Sequence, residues 1–288
     1  MPSRVSVLRE RSDLVALAHV GLTALVFSAT YAHSCLWLPL AVFLAVHLVA
    51  VEHNHGHVAI FRNRVCNGVL DLVLLFLCGI PMACWRKQHA RSHHRAPWTG
   101  DDHSSPFAFR RAVAPFRPVG YRYYQVVYLP LFVMDTVSGI LRDRRPRELR
   151  ELGFTLAVFV AAHLTVATVF GVWPWAALHA CAYAASGMAL GSVNYLQHWR
   201  TQVGDDRHGA RTFVCRIHNA LNYNAGYHDL HHRRPSLHWS RLAATHATDP
   251  TYTPVRFVER DLFPAYRGPA ALRAWFAAVA AKREGRAG

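Results

Sequence analysis

The sequence predicts an all-α membrane protein, with four transmembrane helices in two hairpins that carry a cytoplasmic helical cap. Of its 288 residues, 52% are hydrophobic and only 17% are charged, whereas about a quarter is usual for a soluble domain. No Lys, Arg, Asp or Glu occurs at residues 14–51 or 152–199. Apolar stretches of this length are long enough to cross a bilayer. We expect one integral membrane domain over residues 1–288.

The four predicted spans lie at residues 13–31, 35–52, 152–172 and 174–197. The turns of the two hairpins contain no cation, whereas arginines border the other ends of the spans. Because positive residues favour the cytoplasmic side, we expect a multi-pass protein with both termini and residues 95–150 in the cytoplasm.

A fifth apolar stretch, residues 65–85, contains Asp71, Gly79 and Pro81. Arginines lie at both of its ends, which disfavours a full crossing. This pattern predicts an interfacial or re-entrant helix.

The net charge of +15 raises the question of a nucleic-acid partner. Nucleic-acid binding requires a basic face on a folded domain, but here the arginines flank apolar segments. We therefore expect no nucleic-acid partner. The six cysteines form no CxxC pair, so we interpret them as packing residues.

Three histidine clusters lie just after predicted apolar segments. Their sequences are HNHGH at residues 53–57, HARSHH at 89–94 and HDLHH at 228–232, and NYLQH at 194–198 ends the fourth span. Residues three or four apart project from one face of a helix. The predicted topology therefore brings all the clusters to one side of the membrane.

Clustered imidazoles indicate a metal centre, because neutral imidazole binds Fe, Cu, Zn or Ni. A single tetrahedral zinc needs three or four ligands, whereas these clusters offer nine histidines and an asparagine. The number of donors favours two metals. His55 points away from the face that His53 and His57 share, so we expect it to lie outside the ligand set.

The clusters resemble those of the membrane fatty acid desaturase superfamily, whose pattern is H-x(3–4)-H followed by two H-x(2–3)-HH boxes. The resemblance covers residues 13–245 and implies a non-heme centre of two Fe ions with O2 as co-substrate. It implies these metal ligands: His53, His57, His89, His93, His94, His198, His228, His231 and His232. Asn194 resembles a family position that reaches iron through water.

The resemblance implies O2-dependent desaturation of a fatty acyl chain in a membrane lipid. A hydroxylase, monooxygenase or ketolase is the alternative, since the same iron geometry serves both outcomes. The surroundings of the third box, including Tyr227 and Pro235, are similar to those of acyl-lipid desaturases. A metal transporter is a remote alternative.

The resemblance also implies a separate electron donor of ferredoxin, rubredoxin or cytochrome b5 type, with its reductase. We further expect acidic side chains to accept hydrogen bonds from the ligand histidines, with Asp71 and Asp229 as candidates.

Overall fold

The computed structural model describes residues 6–32, 35–99, 102, 104–105, 121–198, 201 and 209–249. These residues are mainly helical, and one isolated antiparallel bridge joins Leu8 to Phe61. A 3-10 turn, Cys35–Trp37, precedes the second helix. The helices are α1 (Asp13–Ala32), α2 (Leu38–His57), α3 (Arg64–Cys78), α4 (Met82–Trp85, continuing as a π-helix over Arg86–His93), α5 (Tyr121–Asp143), α6 (Pro146–Phe170), α7 (Val172–His198), α8 (Arg216–Leu221), α9 (His228–Arg233) and α10 (Trp239–Thr248).

Five of these helices are long and apolar enough to cross a membrane. They include all four predicted spans, as α1, α2, α6 and α7. The fifth is Tyr123–Asp143 within α5, so the predicted count of four is not confirmed by length and composition. The prediction missed α5 because Pro130, Asp135 and Arg142 interrupt its apolar residues.

Both ends of α5 contact the part of the protein that carries the histidine clusters. Near its start, the Tyr124 hydroxyl accepts a hydrogen bond from Asn194, one turn before His198. At its end, Asp143 pairs with Lys87, two residues before His89. These two contacts place both ends of α5 close to the histidine clusters.

Residues 64–93 form two helical arms joined by a sharp turn. The axes of α3 and of the segment 82–93 are bent by 98°. Gly79 makes the turn with φ +78, and a Cβ there would lie 2.7 Å from the Tyr183 ring. Arg86 on the second arm pairs with Asp71 on the first arm at 2.6 Å. A bent pair of this kind is either a broken span or a re-entrant loop, so the interfacial or re-entrant helix at residues 65–85 stays a prediction.

Four histidines inside the long helices bond to side chains of neighbouring segments. The pairs are His19 with Tyr223, His47 with Asn222, His163 with Trp175 and His179 with Tyr31. These bonds satisfy polar groups that would otherwise be costly in an apolar interior.

Candidate metal centre

The first histidine cluster lies on α2, which continues past the predicted end of the span to His57. His53 and His57 are four residues apart and their ring centroids are 5.2 Å apart. His55 points elsewhere, as predicted: its Nδ1 accepts from the Ile60 amide at 3.1 Å, and its Nε2 lies 3.1 Å from Asp71. His53 and His57 therefore lie on one face of α2, and His55 lies on another face of the same helix.

The second cluster lies on the π-helix, a geometry that the sequence did not predict. Residues five apart diverge by about 140° on an α-helix of 3.6 residues per turn, but the wider π turn aligns them. The amide of His94 donates to the carbonyl of His89 at 3.1 Å, and their Nε2 atoms are 3.2 Å apart. Short π segments occur frequently at functional sites. This one brings His89, His93 and His94 to one side.

The third cluster occupies the short helix α9, where His228, His231 and His232 lie at positions i, i+3 and i+4. The Nε2 of His228 is 3.0 Å from that of His198, at the end of α7, and 3.1 Å from that of His232. The three histidines therefore project from one face of α9, as their spacing predicts.

Together the clusters form two groups of four histidines, which we call group A and group B. Group A is His53, His57, His89 and His231, and group B is His93, His198, His228 and His232. Within each group the donor nitrogens all lie within 4.8 Å of one another. Each group draws on three separate chain segments, so each depends on the whole fold.

The spacing of the nitrogens fits a metal ion. Two imidazoles at right angles around an ion, each bound at about 2.1 Å, place their nitrogens about 3.0 Å apart. The observed distances are 2.9 Å from His53 to His231 and 3.0 Å from His198 to His228. The buried Nε2 atoms of His57 and His93 have no hydrogen-bond partner among the described residues. Buried nitrogens without a partner, placed this close together, fit a bound metal ion.

His94 lies between the two groups. Its ring centroid is 4.3 Å from that of His232 in group B and 4.7 Å from that of His57 in group A. All nine histidines inferred from the resemblance are therefore brought together.

Asp102 holds His93 from behind and was missed by the sequence predictions. Its Oδ2 lies 2.8 Å from His93 Nδ1, and both side chains are fully buried. Burial raises the pKa of Asp102, but the charge and hydrogen bond of His93, with bonds from Ser104 and the Trp98 amide, outweigh this and lower the pKa to about 2. The carboxylate therefore accepts from Nδ1–H and directs Nε2 into group B.

The two acidic candidates predicted for this role, Asp71 and Asp229, are placed otherwise. Asp71 pairs with His55 and Arg86, and not with a histidine of group A or group B. Asp229 pairs with Arg233 at 3.1 Å. The one-residue offset of Asp229 from His228 turns its carboxylate to the outer face of α9.

The histidines of α9 are in the form that binds metals. Burial, followed by the neighbouring imidazoles, lowers the pKa values of His228, His231 and His232 well below the usual range. They are therefore neutral at physiological pH, as a metal-ligating imidazole must be.

Asn194 is oriented by a short hydrogen-bond chain. Its Nδ2 donates to the Tyr124 hydroxyl at 2.6 Å, and that hydroxyl donates to the Ser104 carbonyl. Since Nδ2 is the donor, Oδ1 is the acceptor. Asn194 lines a cavity of about 270 Å³ that also touches His53, His89 and His228. This amide is thus placed beside both groups.

The fold and the site define a class: a membrane protein of long apolar helices, in which clustered histidines can hold two metal ions. A family model described as fatty acid desaturase matches residues 28–258. The chain therefore belongs to the fatty acid desaturase family, whose members are oxidoreductases that typically depend on non-heme iron. Comparisons with curated proteins and with solved structures found no match.

Proposed function

We propose that this protein is an O2-dependent desaturase that oxidises unactivated C–H bonds of a fatty acyl chain at a histidine-ligated di-iron centre. The observation that carries the proposal is the pair of adjacent four-histidine groups. When bound, two Fe ions would activate O2 with electrons from a separate donor, and the protein would supply binding, orientation and exclusion of water.

In this proposal each group holds one iron, and His94 lies within reach of both. Asp102 holds the imidazole of His93 in place, and the Gly209 carbonyl accepts from His198 Nδ1. Oδ1 of Asn194 remains an acceptor for a water at the centre. The role of each residue follows from where its nitrogen or oxygen points.

The cavity beside both groups would hold the acyl chain. Its apolar walls come from α2 and α7, through residues such as Val49 and Val193. Because these walls continue the apolar interior of the helices, an alkyl chain from the bilayer can bind there and exclude water from the reacting carbon.

The proposed topology has four spans, α1, α2, α6 and α7, with the metal centre and both termini in the cytoplasm. In this arrangement α5 lies along the cytoplasmic interface, which is supported by the contacts of both its ends with the histidine side. The arginines at this side suit an acidic ferredoxin, rubredoxin or cytochrome b5 donor.

Desaturation and hydroxylation would share a first step, in which one hydrogen is removed from a carbon of the substrate. They would differ in the second step, in which either a hydrogen leaves the neighbouring carbon or oxygen is added to the first carbon. The iron-loaded protein, with donor, reductase and a saturated acyl lipid, is incubated under 18-O2. We expect a product two mass units lighter and free of label. A dominant labelled hydroxyl or keto product would assign the chain to the hydroxylases or ketolases. Metal uptake into vesicles without O2 consumption would favour a transporter.

A further inference from the structure

The cavity beside groups A and B is polar at one end. His47, on α2, lines that end together with Asn222, which follows α8. His47 is buried, with 4% of its surface exposed, and its Nδ1 lies 3.0 Å from the amide oxygen of Asn222. A simple alkyl chain has no use for polar groups here.

The tautomer of His47 follows from its partner. Asn222 Nδ2 donates to the main-chain carbonyl of His218 at 2.9 Å, which fixes the amide orientation. The oxygen of Asn222 therefore faces His47, so Nδ1 of His47 carries the proton and donates it. Nε2 of His47 is left with a lone pair, and it bonds to none of the residues that the structure describes.

Gln197 offers a second acceptor on the cavity wall. Its Nε2 donates to the Ala225 carbonyl at 2.9 Å, so Oε1 is the free acceptor. Within the described part of the chain, this oxygen also has no donor. Two acceptors with fixed orientations thus line one apolar cavity.

Buried acceptors favour a ligand that carries a donor. A site built with a hydrogen-bonding group discriminates strongly against an analogue that lacks the matching group, because the buried polar atom is then left unpaired. His47 lies six residues before His53, about 9 Å along the helix axis. The polar end is therefore set back from the metal groups by several carbon–carbon bonds.

We propose that the substrate carries a hydroxyl or amide N–H group on its alkyl chain, which donates to His47 Nε2 at a point set back from the carbon that is oxidised. This inference rests on the proposed function for its reacting carbon. The cavity of about 270 Å³ has room for on the order of nine water-sized groups, so the probes are small.

The test measures equilibrium binding to the full-length protein in nanodiscs, with protein-free nanodiscs as the reference. 1-Octanol is compared with its isomer 1-methoxyheptane, which has no donor. N-Hexylacetamide, which has an N–H donor, is compared in the same way with its isomer N-methyl-N-pentylacetamide, which has none. For one of the two pairs we expect the donor isomer to bind the wild type about fivefold more tightly, as one net hydrogen bond implies.

His47→Leu and His47→Phe should reduce that preference to about onefold, and Phe preserves the aromatic contact with Phe43. His19→Leu is the matched control. It removes a partly buried imidazole that bonds Tyr223 but does not line the cavity, so the preference should persist.

Equal binding of both isomers in both pairs by the wild type would overturn the proposal, as would an unchanged preference in a folded His47 variant. Failure of the proposed function would look different. In that case the iron-loaded wild type would not consume O2, yet the preference for the donor isomer would remain.

Discussion

His93 Nδ1 lies 2.8 Å from Asp102 Oδ2, and neither side chain is exposed to solvent. The two residues are nine apart in sequence, and the loop between them closes on the same carboxylate through the Trp98 amide at 2.9 Å. One acidic side chain thus orients a clustered imidazole and holds its loop against the metal centre.

Asp102→Asn should weaken iron binding by about 10- to 100-fold, the usual cost of losing a partner behind a metal-ligating histidine. Both carboxylate oxygens accept, one from Ser104 and the other from His93 and Trp98. The amide group of Asn would turn a donor toward one of these donors. Iron retained per chain during titration with a chelator measures the effect.

Glu10→Gln is the control for this variant, because Glu10 pairs with Arg241 through a partly exposed contact. Its iron retention should match that of the wild type. If Asp102→Asn retained iron as well as Glu10→Gln does, the carboxylate would have no part in holding His93.

Replacing a clustered histidine should remove metal, whereas replacing His55 should not. His231→Ala deletes a group A nitrogen and His93→Ala deletes one from group B, and no described neighbour replaces either. We expect each variant to lose iron and activity together.

His55→Ala should keep most of its iron, but it should unfold more readily because Asp71 and the Ile60 amide lose a buried partner. Metal analysis and thermal unfolding separate these effects. Equal loss of iron in His55→Ala and His93→Ala would mean that the two groups are wrongly assigned.

The close approach of α5 and α7 depends on two glycines. A Cβ at Gly187 would lie 2.7 Å from the Cβ of Leu129, and one at Gly191 would lie 2.9 Å from the Cβ of Tyr128. Gly187→Ala should therefore cost about 1–3 kcal/mol of unfolding free energy, as overpacking does.

Gly153→Ala is the matched control, since a Cβ there meets nothing within 4 Å and alanine favours the helix. Its unfolding midpoint should equal or exceed that of the wild type. An equally tolerated Gly187→Ala would show that α5 packs elsewhere.

The proposed topology is tested by labelling cysteines in intact cells. Cys35, in the exposed turn before α2, should react with a membrane-impermeant maleimide, whereas Cys215, before α8 on the histidine side, should react only after the cells are opened. Single-cysteine variants keep the signals separate. Labelling of Cys215 from outside would reverse the topology.

Local spacing predicted the four long apolar helices and the convergence of the clustered histidines other than His94, which was inferred from the resemblance alone. The four-residue spacing of His89 and His93 predicts that they share a face of an α-helix. The five-residue spacing of His89 and His94 does not. The π turn aligns His94 with His89, and no α-helical spacing marks it in the sequence.

Other features were unpredictable because they join distant segments. Asp102 bonds to His93 from outside the helix that carries His93, and no helical spacing marks it. Asp71 and Asp229 were predicted to bond to ligand histidines because they lie near the clusters in sequence. In the structure their carboxylates form ion pairs with Arg86 and Arg233. The division of the clusters into groups A and B likewise depends on tertiary packing, since each group mixes residues from three segments.

The most direct test of the central claim is the iron content of protein reconstituted with 57-Fe, measured together with its Mössbauer spectrum. The account predicts two irons per chain that are magnetically coupled, because groups A and B are adjacent and His94 contacts both. One iron per chain, or two irons with no coupling, would contradict a dinuclear centre.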